Sequence, residues 1–278
     1  PLDLGENIRR EICFAIEEMG LHPEHSHNES GPGQNEVCFL YTAALQSADN
    51  LNTFKSTVKA IAARNGLFAS FMPKPLADQP GSGLHVNISL VRDGKNLFEG
   101  DLRPDSEAGH FVAGILAHAR ELTAFCNPVP NSYARLGANE APLYVSWSRQ
   151  NRSQLVRLPS ASGEQCRVEL RGPDPAGNPY LVIGLILAAG LDGIQRELPL
   201  PEAVNRNLFH PSAAAGLESL PRSLREAITV AGQSEFISQE LPIALMNKYF
   251  EYQTLLCHDY EAASDVDAWE RANGFLII

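Results

Sequence analysis

Gly83-Leu-His-Val-Asn-Ile-Ser-Leu-Val91 alternates without a break. Leu84, Val86, Ile88 and Leu90 fall on one face, and His85, Asn87 and Ser89 on the other, which is the two-residue period of a half-buried strand. Asp93-Gly94 follows, a hairpin-turn signature. Arg167-Val-Glu-Leu-Arg171 repeats the pattern, with Arg167, Glu169 and Arg171 opposed to Val168 and Leu170. Two strands of this kind predict a sheet with one apolar face and one face lining something wet and ionic.

Working outward, Ile8, Ile12, Ala15, Ile16 and Met19 recur at helical spacing and Gly20 stops them. Leu21 to Gln34 carries no period and reads as strand ends around a loop; Val37 to Leu45 reads as a strand. Leu51, Phe54, Val58 and Ile61 mark a second helix closed near Gly66, and Leu67 to Phe71 a further strand. Phe111, Ile115, Leu116, Ala119 and Leu122 share a helical face, and the chain reads mainly helical from Asn178 to about Ala262. Hairpin-like strands early and helices late predict one α+β domain over residues 1–278, with a mostly antiparallel sheet.

The 278 residues are 44% hydrophobic and 20% charged, an ordinary globular balance able to bury a large core. A net charge of −11 argues against nucleic acid as a partner. Cys13, Cys38, Cys126, Cys166 and Cys257 fit neither a C-x-x-C zinc site nor a disulfide framework, so a reducing, cytoplasmic setting is expected. The longest apolar run, Tyr180 to Gly190, falls short of the ~20 residues that cross a bilayer and reads as a buried helix, so no membrane partner is expected. The chain opens at Pro1 without Met and enters a helical pattern at once, so it is expected to be cut from a longer protein.

Glu29 and Glu36 flank a Gly-Pro-Gly turn that can fold both carboxylates onto one cation. Taken alone, such a pair is more often two solvated surface side chains. His85 alone reads as a satisfied structural histidine, and Glu169 as the centre of a local ion pair. The arginines say more. Between Asn131 and Pro175 every basic residue is arginine: Arg135, Arg149, Arg152, Arg157, Arg167 and Arg171. Guanidinium groups hold carboxylate and phosphate bidentately, so six of them in an acidic chain point to an anionic ligand. Arg152 and Arg157 lie an odd number apart, so a loop or bulge must separate them if both serve one site. Metal-binding carboxylates beside clustered arginine meet the chemical demand of phosphoryl transfer. No Walker motif, kinase motif set or G-x-S-x-G is present.

Several strings together carry a resemblance: Glu29-Ser-Gly-Pro-Gly-Gln-Asn-Glu36, Met72-Pro-Lys-Pro75, Gly81-Ser-Gly-Leu-His85, Asn131-Ser-Tyr-Ala-Arg-Leu136, Glu140-Ala-Pro142, Asn151-Arg-Ser153 with Arg157, and Arg167-Val-Glu-Leu-Arg-Gly-Pro-Asp-Pro175 followed by Asn178-Pro-Tyr180. In this order they resemble the C-terminal catalytic domain of type I glutamine synthetase over nearly the whole chain. The resemblance implies a curved, mostly antiparallel sheet flanked by helices. It implies that Glu29 and Glu36 hold one divalent ion and His85 and Glu169 another, with two or three Mg²⁺ or Mn²⁺ in all. Arg135 and Arg171 would bind L-glutamate, with Gly81 in the loop that receives its amino group. Arg152, Arg157 and Arg167 would contact ATP phosphates, Arg152 and Arg171 acting close to the chemistry, and Tyr41, Asn87 and Ser89 would complete the nucleotide site. Glu140 matches the flap glutamate that shields the intermediate and helps deprotonate ammonium.

The implied reaction phosphorylates the γ-carboxylate of glutamate with ATP and lets ammonia displace phosphate, giving glutamine. An alternative is a γ-glutamyl-polyamine or γ-glutamyl-alkylamine ligase, and a second is a structural member without catalysis. Departures from the pattern stand out. Asn87 replaces the second histidine of an H-x-H pair, Glu164 a common basic residue, and Phe209 the tyrosine adenylylated in regulated members. The E-x-E strand and the N-terminal β-grasp domain are not found, so the chain alone is expected to be inactive. Family members assemble as ring-shaped homo-oligomers, dodecamers at full length.

Overall fold

The computed structural model describes residues 3–100 and 102–278. Helix α1 (Glu6–Glu18) buries Ile12 and Ile16 and stops at Gly20, whose φ of 89° only glycine takes readily. Strands β1 (Pro23–Asn28) and β2 (Asn35–Phe39) form an antiparallel hairpin. Helix α2 (Ala44–Arg64) packs on α1 around Ile12, Ile16, Leu21 and Ile61. An irregular stretch leads to β3 (Val86–Ile88) and to the hairpin β4 (Val91–Arg92) with β5 (Lys95–Asn96). Asp93 and Gly94 turn this hairpin with φ of 52° and 75°. Both angles are positive, as the tightest hairpin turn requires.

Helix α3 (Glu107–Ala117) starts at Ser106, whose hydroxyl accepts the Gly109 N–H at 3.1 Å. Next come α4 (Ala119–Cys126), α5 (Ser132–Arg135), β6 (Trp147–Arg149), β7 (Val156–Leu158) and β8 (Val168–Leu170). Asn178 caps α6 (Pro179–Gln195), accepting from the N–H groups of Tyr180 and Leu181. The chain ends with α7 (Leu224–Gly232), α8 (Glu235–Glu240), α9 (Ile243–Glu261) and α10 (Val266–Glu270). No helix among the described residues is long and apolar enough to cross a membrane.

The main sheet runs β3-β8-β7-β6. Its first two pairings are antiparallel and β7–β6 is parallel. Asn87 lies opposite Glu169, and Glu169 opposite Arg157; one residue along, Val86, Leu170 and Val156 align in the same way. The apolar row joins the main core with Phe111, Ile115, Val182 and Ile186, so the ionic row must face the other way.

Beneath the sheet, α3 and α6 touch backbone to backbone. A β-carbon on Gly114 would lie 2.1 Å from the Ala189 carbonyl oxygen, and one on Gly193 would lie 2.2 Å from that of His110. Only glycine fits either position.

Four expectations need correction. Leu67 to Phe71 is not a strand: Leu67 and Phe68 are exposed, and no strand among the described residues supplies a ladder. β-propensity without a pairing partner does not make sheet. The strand expected to Leu45 ends at Phe39, and Ala44 already begins α2. The helical face from Phe111 to Leu122 is two helices broken at His118. The stretch between Gln195 and Leu224 is irregular, interrupted by Pro199, Pro201, Pro211 and Pro221.

His118 marks the break because its ring bridges two helices. Nδ1 lies 2.6 Å from Glu121 Oε2 and Nε2 2.8 Å from Asp192 Oδ2, while the ring stacks on Phe236 at 3.9 Å. Burial works against the charged ring, but the bonds to Glu121 and Asp192 outweigh it and hold its pKa above the ordinary 6.5.

Two outcomes follow from this packing. Gly193→Ala is expected to cost about 1–3 kcal/mol or more in urea unfolding. Gly184→Ala, in the same helix with nothing within 4 Å, gains up to ~1 kcal/mol. For His118, the pairing is complete below the unfolded value of 6.5 and is lost as pH rises through the raised folded one. The stability advantage of the parent over His118→Gln is therefore largest in acid and shrinks toward alkaline pH.

Candidate active site

The ionic row of the sheet is the floor of the site. Glu169 is 8% exposed and accepts from Arg157 Nη1 at 3.0 Å and from Arg171 Nη1 at 3.3 Å. His85, two residues before Asn87 on the same face, brings Nδ1 to 3.5 Å from Glu169 Oε1. Burial alone would raise the pKa of Glu169, but His85, Arg171 and Arg157 pull it below its usual value. Burial and the Arg171 charge push His85 down to about 4, against the opposing pull of Glu169 and Glu36. The imidazole is thus neutral at pH 7 with a lone pair to give. At the rim, Asn87 Oδ1 accepts from Arg167 Nε at 3.0 Å, and Arg167 Nη1 donates to the Gln165 carbonyl.

The β1–β2 hairpin supplies the second wall. Its turn closes through Glu29 N–H to the Gln34 carbonyl at 2.9 Å, with Gly33 at φ 68°. Gln34 Nε2 reaches across to the Gly81 carbonyl at 3.0 Å, tying the hairpin to the loop that precedes β3. The turn folds back as its spacing predicts, and ligand atoms of His27, Glu29 and Glu36 lie within 4.8 Å of one another. Burial and Glu36 push the Glu29 carboxyl up. Glu36, against its own burial, is held down by the Cys38 thiol, which donates at 3.1 Å, and by Glu29.

The loop from Met72 to Gly83 is clamped from below. Asn131 accepts the Lys74 N–H at 2.7 Å and donates to the Lys74 carbonyl at 3.0 Å. Gly81 and Gly83 rest on Arg135: a β-carbon on Gly83 would lie 2.6 Å from Arg135 Nη2 and 3.0 Å from His85 Nε2. Arg135 is buried and donates to the carbonyls of Gly172 and Arg171 at 2.8 and 3.2 Å. Burial pushes it down to about 10, with buried Asp174 acting in the opposite sense. Arg171 donates toward the Glu140 carbonyl at 3.5 Å, and its Nε is buried without a protein partner.

The fold thus gathers Glu29, Glu36, His85, Glu169, Arg157, Arg171, Arg135 and Gly81, with Asn87 and Arg167 at the rim. Other expected residues lie further out. Tyr41 is 72% exposed beyond the end of β2, and the Glu140 side chain is exposed. Ser89 donates its hydroxyl to the Cys166 carbonyl at 2.9 Å. Arg152 is exposed in the turn between β6 and β7, which separates it from Arg157 as their odd spacing demands. Sequence reasoning passed over His27, Gln34 and Asp174. His27 had a signal: it precedes Glu29 by two residues, the strand period, in a stretch read as aperiodic.

Chemically, three carboxylates and a neutral imidazole are donors suited to Mg²⁺ or Mn²⁺. The unpaired Arg171 Nε and the guanidinium of Arg157 suit oxygens of an anion. The donor set fits a metal–nucleotide site.

Comparison with known proteins points the same way. Residues 1–273 match the family model described as glutamine synthetase, catalytic domain. A glutamine synthetase of Staphylococcus epidermidis is 43% identical over 98% of this chain and 62% of its own length. One of Methanosarcina mazei is 45% identical over 97% of this chain and 62% of its own. Among solved structures, a GmaS–ADP complex superposes with a TM-score of 0.85 at 35% identity, covering 96% of this chain and 63% of that one. The chain therefore spans a little under two thirds of the length of these relatives. With motif order, sheet register and site composition in agreement, the chain belongs to the glutamine synthetase family through its catalytic domain.

Proposed function

We propose that the protein is an ATP-dependent ligase that joins ammonia to the γ-carboxylate of L-glutamate through γ-glutamyl phosphate, releasing glutamine, ADP and phosphate. The observation that carries this reading is Glu169 in its register row, flanked by Arg157, Arg171 and His85, with Glu36 near enough for its charge to act on His85. In this reading Glu29 and Glu36 hold one divalent ion, and His85 and Glu169 another. Bound Mg²⁺ or Mn²⁺ would neutralise the nucleotide phosphates.

Arg152, Arg157 and Arg167 take phosphate oxygens, and Tyr41, Asn87 and Ser89 complete the nucleotide site. Arg135 and Arg171 are assigned to the glutamate, the Arg171 Nε meeting charge as it develops at the reacting carboxylate. The Gly81 carbonyl, held by Gln34, is available to the substrate amino group. Glu140 takes a proton from ammonium and covers the acyl phosphate, which water would otherwise hydrolyse. We also read the protein as a homo-oligomer; exposed Ile243, Leu245, Tyr252 and Leu255 on α9 support this.

A second reading, ligation of an alkylamine or polyamine, is supported by the short Glu29-Ser-Gly-Pro-Gly-Gln34 spacing and by Asn87 in place of a second histidine. Steady-state assay of the full natural chain with Mn²⁺, ATP and glutamate separates the two. Ammonium is expected to exceed methylamine, ethylamine and putrescine in kcat/KM by about tenfold or more, the discrimination a close-fitting pocket gives against added methylenes. The opposite order transfers the assignment to the amine, and no turnover with any of them removes the ligase reading. Arg171→Lys should lower kcat about 10²-fold, because an ammonium cannot replace donors aimed at the forming charge.

A further inference from the structure

The hairpin holds more than two carboxylates. His27 and Glu29 are two residues apart on β1 and so share a face, and Glu36 stands directly across from His27 in the β1–β2 register. His27 Nδ1 lies 3.5 Å from Glu29 Oε1, and all three side chains bring a ligand atom within 4.8 Å of the others. Donors around an octahedral ion with bonds of about 2.1 Å sit about 3.0 to 4.2 Å apart. Closing the triangle takes side-chain adjustment alone, since the register already puts the three residues together. His25 stacks on His27 with ring centroids 5.8 Å apart and planes 12° from parallel.

We propose that His27 is a third ligand, through a ring nitrogen, of the divalent ion held by Glu29 and Glu36. The inference rests on the metal reading of the preceding section and adds a donor to it. The gathering of two carboxylates and an imidazole within 4.8 Å supports it, since a shared cation relieves the repulsion of neighbouring acids. The consequence is selectivity. A nitrogen donor favours Mn²⁺, Co²⁺ or Zn²⁺ over Mg²⁺, which prefers oxygen and water. An ion held only by glutamates would lack that bias.

The test is pulsed EPR of Mn²⁺ on the full natural chain, reading electron-spin-echo modulation from directly bound ¹⁴N. His85 is the other imidazole in the site, so His85→Asn isolates the hairpin's contribution. Nitrogen modulation is expected to persist in His85→Asn and to vanish in the His27→Asn, His85→Asn double variant. His27→Asp, which offers oxygen instead, should retain Mn²⁺ while contributing no nitrogen signal. His27→Asn should weaken Mn²⁺ binding about tenfold or more in calorimetry, and Mg²⁺ binding less. His27 is exposed, so unchanged Tm values establish that the variants fold. Manganese bound by His85→Asn with no nitrogen modulation overturns the assignment of His27 and leaves the metal reading standing. Nitrogen modulation surviving in the double variant overturns it as well. A parent protein that takes up no Mn²⁺ overturns both.

Discussion

A carboxylate as buried as Glu169 cannot stay ionised unless cationic or hydrogen-bonding groups surround it. Here two arginines do so, Arg157 across the ladder from β7 and Arg171 two residues along the chain, with the His85 ring beside β3 at 3.5 Å. Strand register alone makes them meet. A slip of one residue in β8 would turn Glu169 into the core and set Val168 or Leu170 against Arg157. The apolar row of Val86, Leu170 and Val156 resists that slip, because it is packed under the sheet. The hydrophobic core thus holds the ionic row in place.

Much of this was legible in the sequence. The alternation of Leu84 to Leu90 and of Arg167 to Arg171 set both faces of β3 and β8, and Asp93-Gly94 turns where its dipeptide says. The fold back at Glu29 and Glu36 follows from Gly-Pro-Gly between them. What stayed hidden depends on partners far away in the chain. Leu67 to Phe71 looks like a strand by composition, and nothing local shows that no strand lies beside it. His118 looks like one polar residue on a helical face, and its role as a junction comes from Asp192, 74 positions later. Arg135 reads as one of six anion-binding arginines, yet its donors reach carbonyls of the chain that follows Leu170. His27 was missed because a short strand between polar residues has no apolar period to announce it.

Two departures from the family pattern have a physical account. Asn87 accepts from Arg167 Nε through its amide oxygen, a role that a protonated ring could not fill. Glu164 lies exposed in a single turn of tight helix before Cys166, where its carbonyl and that of Gly163 receive the Asn96 amide. The backbone there is fixed by Asn96, so the side chain at 164 is free to vary.

The glycine contact between α3 and α6 leaves a seam of bare backbone. Such a seam has no rotamers to change and no flexible methylenes to yield. A strain arising on one helix cannot be absorbed there; it passes to the other as movement of the whole rod. Val156, Val168 and Leu170 of the sheet share one buried cluster with these rods, so the two layers form a single packed unit. The acidic hairpin is seated apart from this unit, on α1 and α2 through Val37 and on the Gly81 loop through the Gln34 amide.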